Sequence, residues 1–194
     1  MKRILLVAAI FLISTTSTFA ADYKIDPDHS KVGFKVRHLG ISWVPGIFSK
    51  VEGSFSYDEK NIAASKAEAK IEVASIDTQN KKRDDHLRSE EFFASEKFPA
   101  ITFVSKSVKD ISGSKFTVVG DLTMHGVTKP VELVAEFTGA AKDPWENERA
   151  AFTAESKFNR KDFGLQWSKV LETGALVVGE EVVVAIEVEG IKAK

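Results

Sequence analysis

Cysteine is absent from this chain of 194 residues. That excludes disulfides, thiolate nucleophiles, thiolate metal centres and lipid attachment at a lipobox cysteine. Asn-x-Ser/Thr acceptors are also missing, since Asn61, Asn80, Asn147 and Asn159 all lack the hydroxyl two residues on. Charge of one sign is lacking: 27 basic against 28 acidic residues leave a formal net charge of −1. A nucleic-acid partner needs a strongly basic face, and nothing here supplies one. The longest apolar run, Ile4 to Ile13, is ten residues, too short for a bilayer core that needs about 20. Histidine is limited to His29, His38, His86 and His125. No two have H-x-x-x-H spacing, so no metal site is indicated. Neither a G-x-S-x-G elbow nor a phosphate-cradling glycine loop occurs. No cofactor is indicated.

The run at the start has another reading. Lys2 and Arg3 precede it, small residues follow it, and Thr18-Phe19-Ala20 fits a small-x-Ala cleavage site. Residues 1–20 read as a cleaved export signal, and the protein is expected in the periplasm, not spanning a membrane. Removing Lys2 and Arg3 takes the charge of the mature chain, residues 21–194, to −3. A chain of this length suits one domain that buries roughly 70% of its unfolded surface.

Period-2 alternation runs from end to end of that domain. Val32, Phe34, Val36 and His38 oppose Lys31, Gly33, Lys35 and Arg37, and Val51, Phe55 and Tyr57 oppose Glu52, Ser54 and Ser56. The same pattern recurs near 66–73, 101–103, 116–124, 131–137, 152–158 and 182–188. It predicts about eight half-buried strands. Ser112-Gly113-Ser114 reads as a tight hairpin, and His125 to Pro130 as a longer one with a proline brake. Short turns imply an antiparallel meander, and closure into a barrel removes its exposed edges.

One segment breaks the alternation. From about 78 to 96 the chain predicts a helical insert, capped by Asp77 or Thr78, with Ser89 capping a second turn. Phe98-Pro99 stops it. Leu87, Phe92 and Phe93 gather on one side and bury it against the barrel, while Arg83, Asp84, Asp85 and Arg88 make a charged face. His86 among these charges invites a general-base reading, but no nucleophile accompanies it. Aromatics are the louder signal: 14 Phe and 3 Trp, several at strand ends or in the irregular stretches 39–49 and 163–167. A well-filled core accounts for them, and so does an apolar cavity, which a barrel of this size can enclose. The cavity reading takes Phe34, Val36, Trp43, Phe48, Phe92, Phe103, Leu122 and Trp167 as its wall. His38, Arg83, His86 and Arg88 then form a polar mouth.

Four motifs in order carry a resemblance. They are Ile25-Asp26-Pro27-Asp28-His29-Ser30 with Phe34 to Gly40, Arg83 to Ser89 with Phe92-Phe93 and Phe98 to Phe103, Gly120 to Pro130, and Phe163-Gly164-Leu165. Together they resemble the YceI-like family of bacterial polyisoprenoid-binding proteins. The resemblance implies a mainly β, extended lipocalin-like barrel, exported to the periplasm, that carries or sequesters a long isoprenoid or similar lipid. It implies binding, not catalysis, and is compatible with a homodimer. A quinone- or fatty-amide-binding protein serving a redox or stress-response partner stays open, as does an isoprenoid-modifying enzyme.

Overall fold

Alternating side chains and glycine- or asparagine-rich turns give the chain eleven strand segments and one helix, seen in a computed structural model that describes residues 20–172, 174 and 176–194. Residues 1–19 of the expected export signal lie outside the described residues. The strands are β1 (Ala21–Ile25), β2 (Lys31–His38), β3 (Ser42–Phe48), β4 (Val51–Tyr57), β5 (Lys66–Glu72) and β6 (Ile76–Asp77). After α1 (Lys81–Arg88) come β7 (Ala100–Ser112), β8 (Lys115–Met124), β9 (Val127–Lys142), β10 (Glu148–Asn159) and β11 (Val178–Lys192).

Eleven segments make eight strand positions. β1 and β2 both pair with β11, one after the other along the same edge. On their other side β1 pairs with β4 and β2 with β3. β4 pairs with β5, and β3 with β6. The first three positions are therefore long strands, each broken by a kink: at Pro27–His29, at Ser49-Lys50 and at Val73–Ser75. β7 to β11 continue the meander, and the β1–β11 pairing closes an antiparallel barrel. Closure leaves few unpaired edges.

The turns follow their residues. His125 and Gly126 both take positive φ, 51° and 76°, so β8 and β9 are joined by a two-residue primed turn and not by the longer connection expected from the sequence. Pro130 lies inside β9 opposite Asp121, on a stretch where the pairing with β10 has already ended. A residue without an N–H is tolerated there. The stretch 39–49, expected to be irregular, is mostly strand β3. Its Pro45 and Gly46 hide the alternation, and Ser42 to Gly46 pair only with β2.

The helical insert is shorter than the expected 78–96. Asn80, not Asp77 or Thr78, caps α1, its side chain accepting from the Arg83 N–H at 3.0 Å. Ser89 closes the helix instead of starting a second one: its hydroxyl donates to the His86 carbonyl at 2.7 Å. Residues 89–98 are successive turns that bury Phe92 and Ala94.

Candidate functional site

In a barrel filled to protein density, inward side chains are sealed from water. Here many are not. Phe34, Val36, Val118, Leu122, Leu133, Phe158 and Val184 all lie on the inward parity of their strands, yet each stays partly accessible. The reason is a cavity of about 500 Å³ inside the barrel. Its wall is almost entirely hydrocarbon, drawn from every strand position and from the insert (Leu87, Phe92, Phe93). The phenylalanines that face the lumen thus divide between a packed end and a hollow one.

At the end where β1 pairs with β4, aromatic rings fill the lumen. Tyr57 stacks on Phe137 at 4.9 Å and meets Phe152 edge-on at 5.0 Å. Phe55 bridges from Phe152 (5.2 Å) to Tyr23 (5.0 Å). Outside that plug an ion-pair network ties the kink of the first strand to β10 and β11. Arg149 donates to Asp26 (2.7 Å), Glu189 (2.6 Å) and Asp143 (2.9 Å), and His29 Nδ1 contacts Asp26 at 2.8 Å. Arg149 and the imidazole hold the Asp26 carboxyl below its ordinary value. Asn147, then Arg149, hold the Asp143 carboxyl well below its ordinary value. Asp26, His29 and Glu189 place ligand atoms close enough together for a cation, but the guanidinium already bridges the two carboxylates.

At the opposite end α1 and the turns after it border the lumen, with Thr78, Arg83, His86 and Leu87 on the cavity wall. Thr78 anchors the helix: its N–H and hydroxyl both donate to buried Asp84 Oδ1, at 2.9 and 2.5 Å. Arg83 folds back over it, donating from Nε to Thr78 Oγ1 and from Nη2 to the Thr78 carbonyl, each at 2.7 Å. His86 turns its Nε2 to Glu91 at 2.6 Å. Its ring packs edge-on against Phe92 and Trp167, both at 5.2 Å. This His is a packing partner that also bonds a surface carboxylate.

Arg160 is the polar wall residue that sequence reasoning missed. It is 2% exposed and is caged by carbonyls, donating to Leu165 O at 2.5 Å, Gly179 O at 2.9 Å and Val178 O at 3.3 Å. Gly164, at φ 79°, turns the chain so that the Leu165 carbonyl can reach it. Among the described residues no carboxylate forms an ion pair with this guanidinium. Burial lowers its pKa from the ordinary value. The guanidinium lies over the Phe92 ring, 6.0 Å from its centre. Nothing in the run Asn159-Arg160-Lys161-Asp162 marks Arg160 out, because its acceptors come from two other segments.

Of the residues expected on the wall, Phe34, Val36, Phe48, Phe92, Phe103, Leu122 and Trp167 border the cavity, as do His38, Arg83 and His86 at its mouth. Two do not. Trp43 pairs in register with Arg37, on the outward parity, and is 37% exposed with Arg37 stacked 4.1 Å over its ring. Arg88 points away from the lumen, donating to the Ala74 and Ile76 carbonyls (both 2.9 Å) and to Asp85 (3.1 Å). It fastens α1 to the β5–β6 kink. Among the described residues, no helix is long and apolar enough to cross a membrane.

The barrel fold has counterparts. The YceI-like domain model matches residues 23–190. Protein YceI of Escherichia coli O157:H7 is 44% identical over 188 residues, covering 96% of this chain and 95% of that one. Among solved structures, BcnA of Burkholderia cenocepacia superposes with a TM-score of 0.75 at 23% identity, over 85% of this chain and 98% of its own. A domain from Saccharophagus degradans, described as polyisoprenoid-binding and implicated in plant cell wall breakdown, superposes with a TM-score of 0.67 at 15% identity, over 90% of this chain and all of its own. The chain belongs to the YceI-like family.

Proposed function

We propose that this YceI-like protein binds the hydrocarbon tail of a long-chain isoprenoid or similar amphiphilic lipid in the barrel lumen and carries or sequesters it in the periplasm. The observation that carries the reading is the 500 Å³ cavity with a hydrocarbon wall in a barrel that has no need of one for stability. Volumes of about 300–1,000 Å³ are usual for small-molecule sites. At ~30 Å³ per heavy atom, the figure for a water molecule, this lumen takes roughly 15–20 carbons. A longer tail extends through the mouth. Burying 15 methylenes at ~0.8 kcal/mol each yields about 12 kcal/mol before the ~4–15 kcal/mol of association. Affinity then rises with every carbon that finds room.

The plugged end takes the tail tip and the α1 end the head group. Arg160, Arg83, His38 and His86 are the polar side chains there: backbone carbonyls hold Arg160, Thr78 holds Arg83 and Glu91 holds His86. This arrangement supports binding and not turnover, since the wall offers hydrocarbon and no activated nucleophile. The polyisoprenoid-binding description of the Saccharophagus domain supports the ligand class. A displacement titration tests it: a fluorescent fatty-chain probe taken up by delipidated protein should be released by prenyl alcohols of increasing length, with affinity rising until the lumen is full. No uptake at any chain length would overturn the reading.

A further inference from the structure

The outer rim of the mouth differs from the rest of the surface. The β2–β3 hairpin carries Ile41 at its tip, 80% exposed, with Trp43 one strand position away. Two cations sit over that indole: Arg37 at 4.1 Å and Lys35 at 5.1 Å from the ring centre. The loop entering β11 lies alongside, since Leu39 N–H donates to Val177 O at 3.1 Å and Val177 N–H donates to Lys169 O at 2.9 Å. That loop adds Val170, 66% exposed, and Leu171, 37% exposed. Two separate stretches of chain thus present bare aliphatic groups, a tryptophan and three cations (Lys35, Arg37, Lys169) on one rim. Among the described residues, none of the three cations is in an ion pair, and of the carboxylates in the same stretches Glu172 and Glu181 make none with them while Glu180 pairs with Lys161. Most other surface lysines of the barrel are paired, as Lys31, Lys50, Lys70, Lys106 and Lys109 show.

We propose that this rim is a docking surface for an anionic lipid bilayer. An aliphatic tip that a folded domain leaves in water finds a lower free energy in the acyl boundary, and tryptophan settles at the headgroup level. Lysine and arginine flanking such a tip meet the anionic headgroups. The position gives the surface its use. His38, Val178 and Trp167 border the cavity and belong to the same hairpin, strand and loop, so docking brings the mouth to the bilayer and lets a tail pass without crossing water. That use rests on the tail-binding reading; the docking itself does not. Among the described residues, the opposite end exposes Trp145 at 77%, beside the Arg149 ion-pair network, and Ile111 at 46% in the β7–β8 hairpin.

Co-sedimentation of the mature chain with phosphatidylcholine vesicles, with and without phosphatidylglycerol, tests the docking. The chain should pellet with the anionic vesicles and do so less as salt is raised. Ile41→Asp and, separately, Lys35→Glu should each weaken pelleting by about tenfold, whereas Trp145→Ser at the far end should leave it unchanged. Circular dichroism checks that the variants are folded. Absence of pelleting, equal pelleting of Ile41→Asp and the parent, or loss of pelleting in Trp145→Ser would each overturn the proposal. Probe uptake from solution is the separate arm: Ile41 lies off the cavity wall, so Ile41→Asp should still fill. Vesicle binding by a protein that takes up no probe would leave docking standing and sink the tail-binding reading.

Discussion

Leu122→Trp separates a hollow barrel from a packed one. Leu122 lies on β8 opposite Phe103, faces the lumen and borders the cavity. An indole in place of its isobutyl group takes room that otherwise holds roughly two to three methylenes of a tail. At ~0.8 kcal/mol each, that is about 2 kcal/mol of lost binding, or about 30-fold in Kd. The same substitution in a solid core forces neighbours off their rotamers, at ~1–3 kcal/mol. In the hollow barrel the ring finds space, so the stability cost should fall at the bottom of that range. Two assays read the two effects: equilibrium urea unfolding of the delipidated protein, and fluorescent-probe titration. Loss of affinity with little loss of stability is the expected pair. Unchanged affinity together with a shift as large as overpacking produces would show that the lumen is filled in solution and that the cavity argument fails.

Other outcomes follow from the same structure. Gly53 has φ 155°, and a Cβ there would collide with the Glu68 carbonyl and lie 2.9 Å from the Ala69 Cα, so Gly53→Ala should cost at least ~2 kcal/mol in urea unfolding. Asp26 and Asp143 are held low in the fold, so their contribution is present above the ordinary carboxylate range near ~4 and is lost as pH falls through their folded values. Arg149→Met should therefore lower the thermal midpoint at neutral pH and narrow its difference from the parent in strong acid. His29 is raised, by its bond to Asp26 first; its contribution is complete below ~6.5 and fades as pH rises through the folded value. His29→Ala should flatten that part of the stability profile. N-terminal sequencing of protein from a periplasmic extract should read Ala21 first, and an intact Met1 would contradict the export reading.

The barrel was legible because inward parity is a local property. Phe34 and Val36 on β2 or Val182 and Val184 on β11 need only their neighbours to declare a face. What stayed hidden depended on partners far away in the chain. β3 was obscured by Pro45 and Gly46, which an edge stretch tolerates, and Trp43 was assigned to the wall because its parity could not be counted without recognising that strand. Four polar residues, Asp77 to Asn80, compete to cap α1, and only the tie between Thr78 and Asp84 leaves Asn80 free for it. Neither Arg88, between Leu87 and Ser89, nor Arg160, between Asn159 and Lys161, shows its partners in the sequence. One reaches backbone carbonyls outside the barrel and the other reaches carbonyls at the cavity wall, and those carbonyls belong to Ala74, Ile76, Leu165, Val178 and Gly179. Sequence pattern also could not choose between a filled and a hollow interior, since both demand apolar side chains at the same positions.

The central claim is that the lumen holds a hydrocarbon tail in the living cell. Native mass spectrometry of protein released gently from the periplasm, before and after extraction with organic solvent, addresses it without any chosen probe. The account predicts a discrete mass increment that solvent removes and that accurate mass assigns to a long-chain lipid, with a smaller liganded fraction in Leu122→Trp purified in parallel. A parent protein that emerges only at the mass of its bare chain, under conditions that preserve lipid complexes of a control carrier, would contradict it.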